Sequence, residues 1–155
     1  MKLENEFLYA EISEMGAEVI RIYDKENQRD ILWEGDPKYW KRHSPVLFPN
    51  VGKTYRNTVR IGGIQYPTSQ HGFARDTMFI CIKSSKDNAS FMILSNEEMK
   101  EVYPYDFELH ISYQLRGKEL EVEWQVKNRT AETMYFTIGG HPAFRFAEAG
   151  EKKED

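Results

Sequence analysis

Apolar residues recur at every second position over the longest regular stretch of the chain. Phe107, Leu109, Ile111, Tyr113 and Leu115 alternate with Glu108, His110, Ser112 and Gln114. Arg116-Gly117-Lys118-Glu119 then supplies a turn, after which Leu120, Val122, Trp124 and Val126 alternate with Glu121, Glu123, Gln125 and Lys127. A period of two puts successive side chains on opposite faces of a strand, so the two runs predict an antiparallel hairpin with one buried face.

The same period, less regular, appears elsewhere. Residues 7–12 and 18–23 flank Met15-Gly16, and a polar turn at 24–30 precedes Ile31-Leu32-Trp33. Val59-Arg60-Ile61 and Ile64-Gln65-Tyr66 flank Gly62-Gly63, a pair suited to a tight hairpin turn. Residues 78–83 and 91–94 flank another polar connection, and 134–138 is predicted as a last strand. Helix is scarce. Ser95-Asn96-Glu97-Glu98 fits a capping box before residues 99–102, with Pro104 ending the helix, and 37–42 suits a further short turn. The pattern predicts an all-β, antiparallel β-sandwich, with one or two short helices, in a single domain spanning 1–155. The charged tail at 148–155 is expected to fray.

Composition narrows the function classes. The chain has 155 residues, 40% apolar and 30% charged, enough to bury a core and unlike a disordered segment. A net charge of −4 with both signs interspersed argues against nucleic acid as a partner. Cys81 is the only cysteine, which rules out an internal disulfide and a Cys-based metal site. The sequence carries no His-x-His and no His-Glu-x-x-His, so a metal site is not expected. The start Met1-Lys2-Leu3-Glu4 lacks the apolar stretch of a signal peptide, and no run is long enough to span a membrane. A cytoplasmic location is expected.

Two histidines sit in turn-like frames. One lies in Thr137-Ile138-Gly139-Gly140-His141-Pro142-Ala143-Phe144, the other in Gln70-His71-Gly72-Phe73-Ala74-Arg75-Asp76. Histidine is the side chain whose unperturbed pKa lies nearest neutrality, so each frame suits either a general acid or base or a loop histidine bonded to backbone. His43 and His110 lie in a basic turn and on the polar face of a strand, and neither is a candidate. Ser44-Pro45-Val46-Leu47-Phe48-Pro49 is apolar and twice broken by proline, a poor central strand. It suits an edge segment or a rigid lip carrying Lys53 toward a ligand. Arg75 is a nearby cation. No Gly-x-Ser-x-Gly elbow is present, so a Ser-His-Asp hydrolase is not indicated.

Taken in order, Ser44-Pro45-Val46-Leu47-Phe48-Pro49 with Val51-Gly52-Lys53, then His71-Gly72-Phe73-Ala74-Arg75-Asp76, then Gly139-Gly140-His141-Pro142-Ala143-Phe144 resemble the aldose 1-epimerases, or galactose mutarotases. The branch that includes the LacX-like proteins is the nearest in pattern, and Trp33, Trp40 and Asn96-Glu97-Glu98 also fit it. The resemblance implies a galactose mutarotase-like supersandwich acting on a hexose or hexose phosphate without a cofactor. It further implies that an acid protonates the ring oxygen while a base deprotonates the anomeric hydroxyl, so that the ring opens, rotates and recloses. Carried over by motif, His141 is the acid and His71 a sugar-binding residue. Lys53 stands where the family commonly presents an arginine, and Arg75 is a candidate contact for a phosphate or sugar oxygen.

Family members are longer, and their glutamate base lies further along the sequence. Glu148, Glu151 and Glu154 follow His141 too closely to match it. The chain is therefore expected to be the N-terminal half of a mutarotase-like protein, impaired as an enzyme unless Asp76, Glu108 or a partner chain supplies a carboxylate. A sandwich missing strands is expected to expose edges and apolar surface, and so to self-associate.

Overall fold

The computed structural model describes residues 1–145. Twelve strands are present among them: β1 Lys2–Glu4, β2 Leu8–Ile12, β3 Val19–Asp24, β4 Arg29–Asp30, β5 Val46–Leu47, β6 Thr58–Ile61, β7 Ile64–Pro67, β8 Ile80–Ser84, β9 Asn88–Leu94, β10 Phe107–Arg116, β11 Glu119–Asn128 and β12 Gly139–Gly140. One sheet has the order β1-β2-β3-β4 and another β11-β10-β9-β8, while β5 pairs with β12 and β6 with β7, all antiparallel. A single hydrophobic cluster joins Leu3, Ala10 and Ile12 of the first sheet to Phe91, Leu109 and Ile111 of the second. The fold is thus the all-β, antiparallel sandwich the alternation predicted. Tyr113 adds a polar tie, its hydroxyl donating to the Ala17 carbonyl at 2.6 Å.

The long hairpin forms in the expected register, Phe107 opposite Asn128 and Arg116 opposite Glu119. Its two strands differ in burial. Every apolar side chain of β10 is buried, whereas on β11 Val122 and Trp124 are exposed at 43% and 37%. β11 is an edge strand whose apolar face is only partly covered: Leu120 and Val126 pack against the core, and Gly140 lies beside the Trp124 ring. The prediction of one buried face holds for β10 and holds in part for β11, where Leu120 and Val126 are half-buried and Val122 and Trp124 are not.

Two local expectations also change. The single α-helix among the described residues, α1 (Glu97–Lys100), is capped by Asn96, whose side chain accepts from Met99 N; Ser95 instead holds Asp106 and the Phe107 amide. Residues 134–138 form no strand and run as an extended lining, Tyr135 O accepting from the Tyr103 hydroxyl and Thr137 N donating to Pro49 O. The Gly62-Gly63 turn forms as expected, both residues at positive φ. No helix among the described residues is long and apolar enough to cross a membrane. The tail at 148–155 lies outside the described residues.

Candidate functional site

His141 is held from both sides by backbone. Upstream, β12 pairs with β5, and His141 N donates to Pro45 O at 3.0 Å. Downstream, Ala143 N donates to His43 O while Trp33 N donates to Ala143 O, clamping the loop between two distant segments. The His141 ring is exposed and lies against Trp40, with ring centroids 5.2 Å apart. Of the two expectations for the proline-broken segment the edge segment holds: it is a buried strand paired only with β12, and it supports the histidine.

His71 takes the left-handed conformation, φ +68°, and Gly72 follows at +69°. A Cβ at Gly72 would overlap the Phe48 carbonyl, so only glycine lets the two segments cross there. The cross-bracing continues through backbone and side chains. Phe73 N and Ala74 N both donate to Phe48 O, and Ser69 Oγ donates to Gly72 O at 2.7 Å. His71 N donates to Gly52 O, and Gly52 N donates to His71 Nδ1, each at 2.9 Å. With Nδ1 accepting, the proton of the neutral ring rests on Nε2, which becomes a donor.

These two loops, far apart in sequence, bring the His71 and His141 rings to 6.2 Å between centroids. Burial chiefly, then the positive field of Arg75, His141 and Arg42, pushes the His71 pKa below its ordinary 6.5. The ring therefore stays neutral at physiological pH.

Lys53 and Arg75 end up differently. Lys53 is exposed, with no ion pair or hydrogen bond among the described residues, one position beyond the glycine that orients His71. Arg75 is mostly buried at the base of the His71 loop, donating from Nη2 to Gln70 O at 2.8 Å and lying 3.6 Å from Asp76 Oδ2. Burial, then Arg42, lowers its pKa, with Asp76 and Glu18 opposing, and it remains a cation. Its Nε is the atom that faces Asp76, buried and without a hydrogen-bond partner among the described residues. Arg42 reaches across to Asp76 Oδ1 at 2.6 Å and to Arg75 O.

Three residues carry weight that sequence reasoning missed. Arg42 ties Asp76 into this cluster, and Trp40 forms one wall for His141. Glu18 is buried and accepts from His43 N and Ser44 N, at 2.6 and 2.8 Å, fixing the start of the segment that carries β5. An acid at the first position of a strand-like run carries no signal that it will turn inward. Trp40 was readable only as a residue fitting the family pattern.

Two hollows lie away from the histidine rings. A cleft of about 520 Å³ is walled by the β6–β7 hairpin, Phe73 and Tyr103, and a groove of about 440 Å³ runs along Val19, Tyr113, Val122 and Trp124. Both are lined mainly by apolar groups. A polar ligand needs converging donors and acceptors, and the histidine pair supplies them. No group of three metal-ligating side chains occurs among the described residues.

Set beside known proteins, the whole sequence, residues 1–155, matches the family model described as aldose 1-epimerase. The chain belongs to the aldose 1-epimerase family. Two LacX proteins of Lactococcus lactis subsp. lactis, one plasmid-borne and one chromosomal, are 35% identical over 162 aligned positions, covering 100% of this chain and 54% of theirs. A galactose mutarotase related enzyme from Lactobacillus acidophilus has a TM-score of 0.96 at 37% identity, over 99% of this chain and 52% of that one. A galactose mutarotase-like protein from Lactobacillus casei follows at 0.93 and 35%, over 97% and 51%. The chain thus spans about half the length of the relatives it matches.

Proposed function

We infer that this chain supplies the acid and sugar-binding side of an aldose 1-epimerase site. The observation that carries the reading is the facing pair His71 and His141, each locked by backbone from a separate loop. In this reading His141 is the general acid that protonates the ring oxygen of an aldose. A histidine suits that role because the proton must be given and then retrieved near neutral pH. His71, whose Nε2 lies 3.3 Å from the Gln70 side-chain amide, turns its Nε2–H to a sugar oxygen. Lys53, exposed beside Gly52, serves a hydroxyl, and Arg75, whose Nη2 holds the His71 loop through Gln70 O, offers a remaining N–H to a phosphate or sugar oxygen. The base that takes the anomeric proton is provided by a carboxylate outside residues 1–145. Asp76 is engaged by Arg42 and Arg75, and Glu108 by His110, Lys127 and Arg129, so neither is free for the part. The uncovered apolar strand favours self-association of the chain on its own.

The engagement of both carboxylates also favours a second reading, a carbohydrate-binding domain that does not turn over. Anomer exchange of glucose and galactose, followed by NMR, separates the two. Loss of one partner of an acid–base pair costs on the order of 10²–10⁴-fold in rate, so the chain alone is expected to exchange anomers barely above buffer. Either sugar should nonetheless shift the His71 and His141 ring signals, and His71→Ala should weaken that binding. Robust turnover abolished by His141→Ala would overturn the missing base. Silence of both histidines at saturating sugar would overturn the site itself.

A further inference from the structure

No other charged residue among the described ones is as deeply buried as Glu18, which is 7% exposed. A carboxylate taken out of water needs strong partners to stay there. Glu18 has two. His43 N and Ser44 N both donate to the same oxygen, Oε1, at 2.6 and 2.8 Å. Backbone N–H groups bond more strongly to a carboxylate than to a neutral acceptor, so this side chain is a firm point of attachment. The His43 ring does not compete for it: its Nδ1 lies 3.8 Å from Oε1 and has no hydrogen-bond partner among the described residues.

The attachment joins the two histidine loops. On one side, the turn that carries Glu18 is built onto the segment that follows His71. Gly16 N donates to Thr77 O at 2.7 Å, Phe79 N donates to Glu14 O at 2.8 Å, and a Cβ at Gly16 would come within 2.9 Å of Arg75 O. The Ala17 carbonyl, which accepts from the Tyr113 hydroxyl, pins the same turn to β10. On the other side stands the His141 loop. The peptide unit between His43 and Ser44 donates to Glu18 through Ser44 N and accepts from Ala143 N through His43 O, at 2.8 Å. A trans peptide points its N–H and C=O in opposite directions, so this unit sits between the carboxylate and the loop. Pro45 O, one residue on, accepts from His141 N at 3.0 Å.

His141 depends on that platform. No side-chain hydrogen bond among the described residues holds its ring, which is exposed and has Trp40 against it. The ring therefore goes where the loop backbone puts it. A general acid has to be placed to within a fraction of an ångström, and a misplacement of about 1 Å costs on the order of 10²-fold in rate. An apolar side chain at position 18 would fill the space but leave two buried amides without an acceptor.

We propose, on the epimerase-site reading above, that Glu18 is a positioning residue for the reaction: one buried carboxylate oxygen fixes the His141 loop to the frame that carries the His71 loop, and so sets the separation of the two histidines. Glu18 itself moves no proton, because the oxygen is taken by two backbone N–H groups.

The test compares Glu18→Met and Glu18→Gln with the unaltered chain by NMR. Methionine keeps the length of the side chain without an acceptor, and glutamine keeps an acceptor oxygen. In Glu18→Met, amide hydrogen exchange at His141 and Ala143 should quicken by roughly tenfold relative to Leu109 and Ile111 of β10, because both bonds hang from the released segment. At saturating glucose the shift of the His141 ring should shrink while that of His71 persists. Glu18→Gln should restore both readouts, a rescue that a loss of packing would not show. If the methionine variant does not fold, Glu18→Asp, which withdraws the oxygen by one methylene, should give the same selective loss. Exchange at His141 and Ala143 that stays slow, exchange that quickens equally in β10, or a His141 response that is undiminished without the acceptor each removes Glu18 from the role and leaves the histidine site standing. If neither histidine of the unaltered chain responds to glucose, the epimerase-site reading falls and the positioning role falls with it.

Discussion

His71 owes its neutrality to its surroundings, and that neutrality has a pH consequence. The ring accepts from Gly52 N through Nδ1, a bond that a protonated imidazole cannot make. Burial and the nearby positive groups resist the added proton and lower the folded-state pKa below 6.5. The sign follows from linkage. As pH falls through about 6.5, the unfolded chain takes up a proton that the folded ring refuses, so stability declines until the folded ring is protonated as well. Above that range the contribution is fully present. Chemical denaturation across pH 5–8 is expected to show this loss on the acid side, and His71→Gln, which keeps an acceptor without the titration, should flatten it. An unchanged profile in the variant counts against the assignment. At this scale the sequence was informative about position and less so about contact. The two framed histidines were legible because glycine and proline around them mark rigid turns. The engagement of Arg75 was not, since nothing in its neighbours distinguishes a brace from a free cation.

Elements were legible wherever one face of a strand is buried and the other wet. β10 is the clearest example, and the Gly62-Gly63 hairpin formed because two successive positive φ values favour glycine twice. Legibility failed where pairing is very short or tertiary. β5 and β12 are two residues each, and their pairing joins positions about ninety apart, so no local period announces it. Residues 134–138 alternate like a strand but lie along Pro49 and Tyr103, not in a ladder. The crossing of Phe48 over Gly72 is where these short pieces depend on one another. Gly72→Ala combines a left-handed backbone with overlap on the Phe48 carbonyl, for a cost of about 3 kcal/mol. Gly52→Ala has a positive φ but open space around the new Cβ, so it should cost about 1 kcal/mol. Thermal melts should rank the two in that order, the first lowering Tm by roughly 6–12 °C. Equal effects would mean that the crossing is not tight.

At the scale of the whole molecule, the distribution of apolar surface is the feature that sets behaviour. The core is well formed where the two sheets meet, yet Val122 and Trp124 of β11 are exposed, and the groove beside them is continuous with Val19, Ile22, Leu32, Pro142 and Phe144. The opposite edge of the same sheet, β8, leaves Ile80 at 66% and Ile82 at 48%. An edge strand with unpaired backbone groups and an apolar face is a template for another chain. Charge does little to prevent association, because −4 is small for 155 residues. The relatives contain about as much sequence again, which is enough to supply such a cover, and the chain alone has only itself. Sedimentation equilibrium is therefore expected to give a mass that rises with protein concentration. Val122→Lys places a charge in the middle of the uncovered face and should shift the equilibrium toward monomer, whereas Ile80→Lys on the far edge should act less if β11 is the contact. Both positions are exposed, so neither substitution should lower Tm by more than a few degrees. A monodisperse, cooperatively melting monomer at high concentration would show that the groove stays open in water, and the association reading would fall with it.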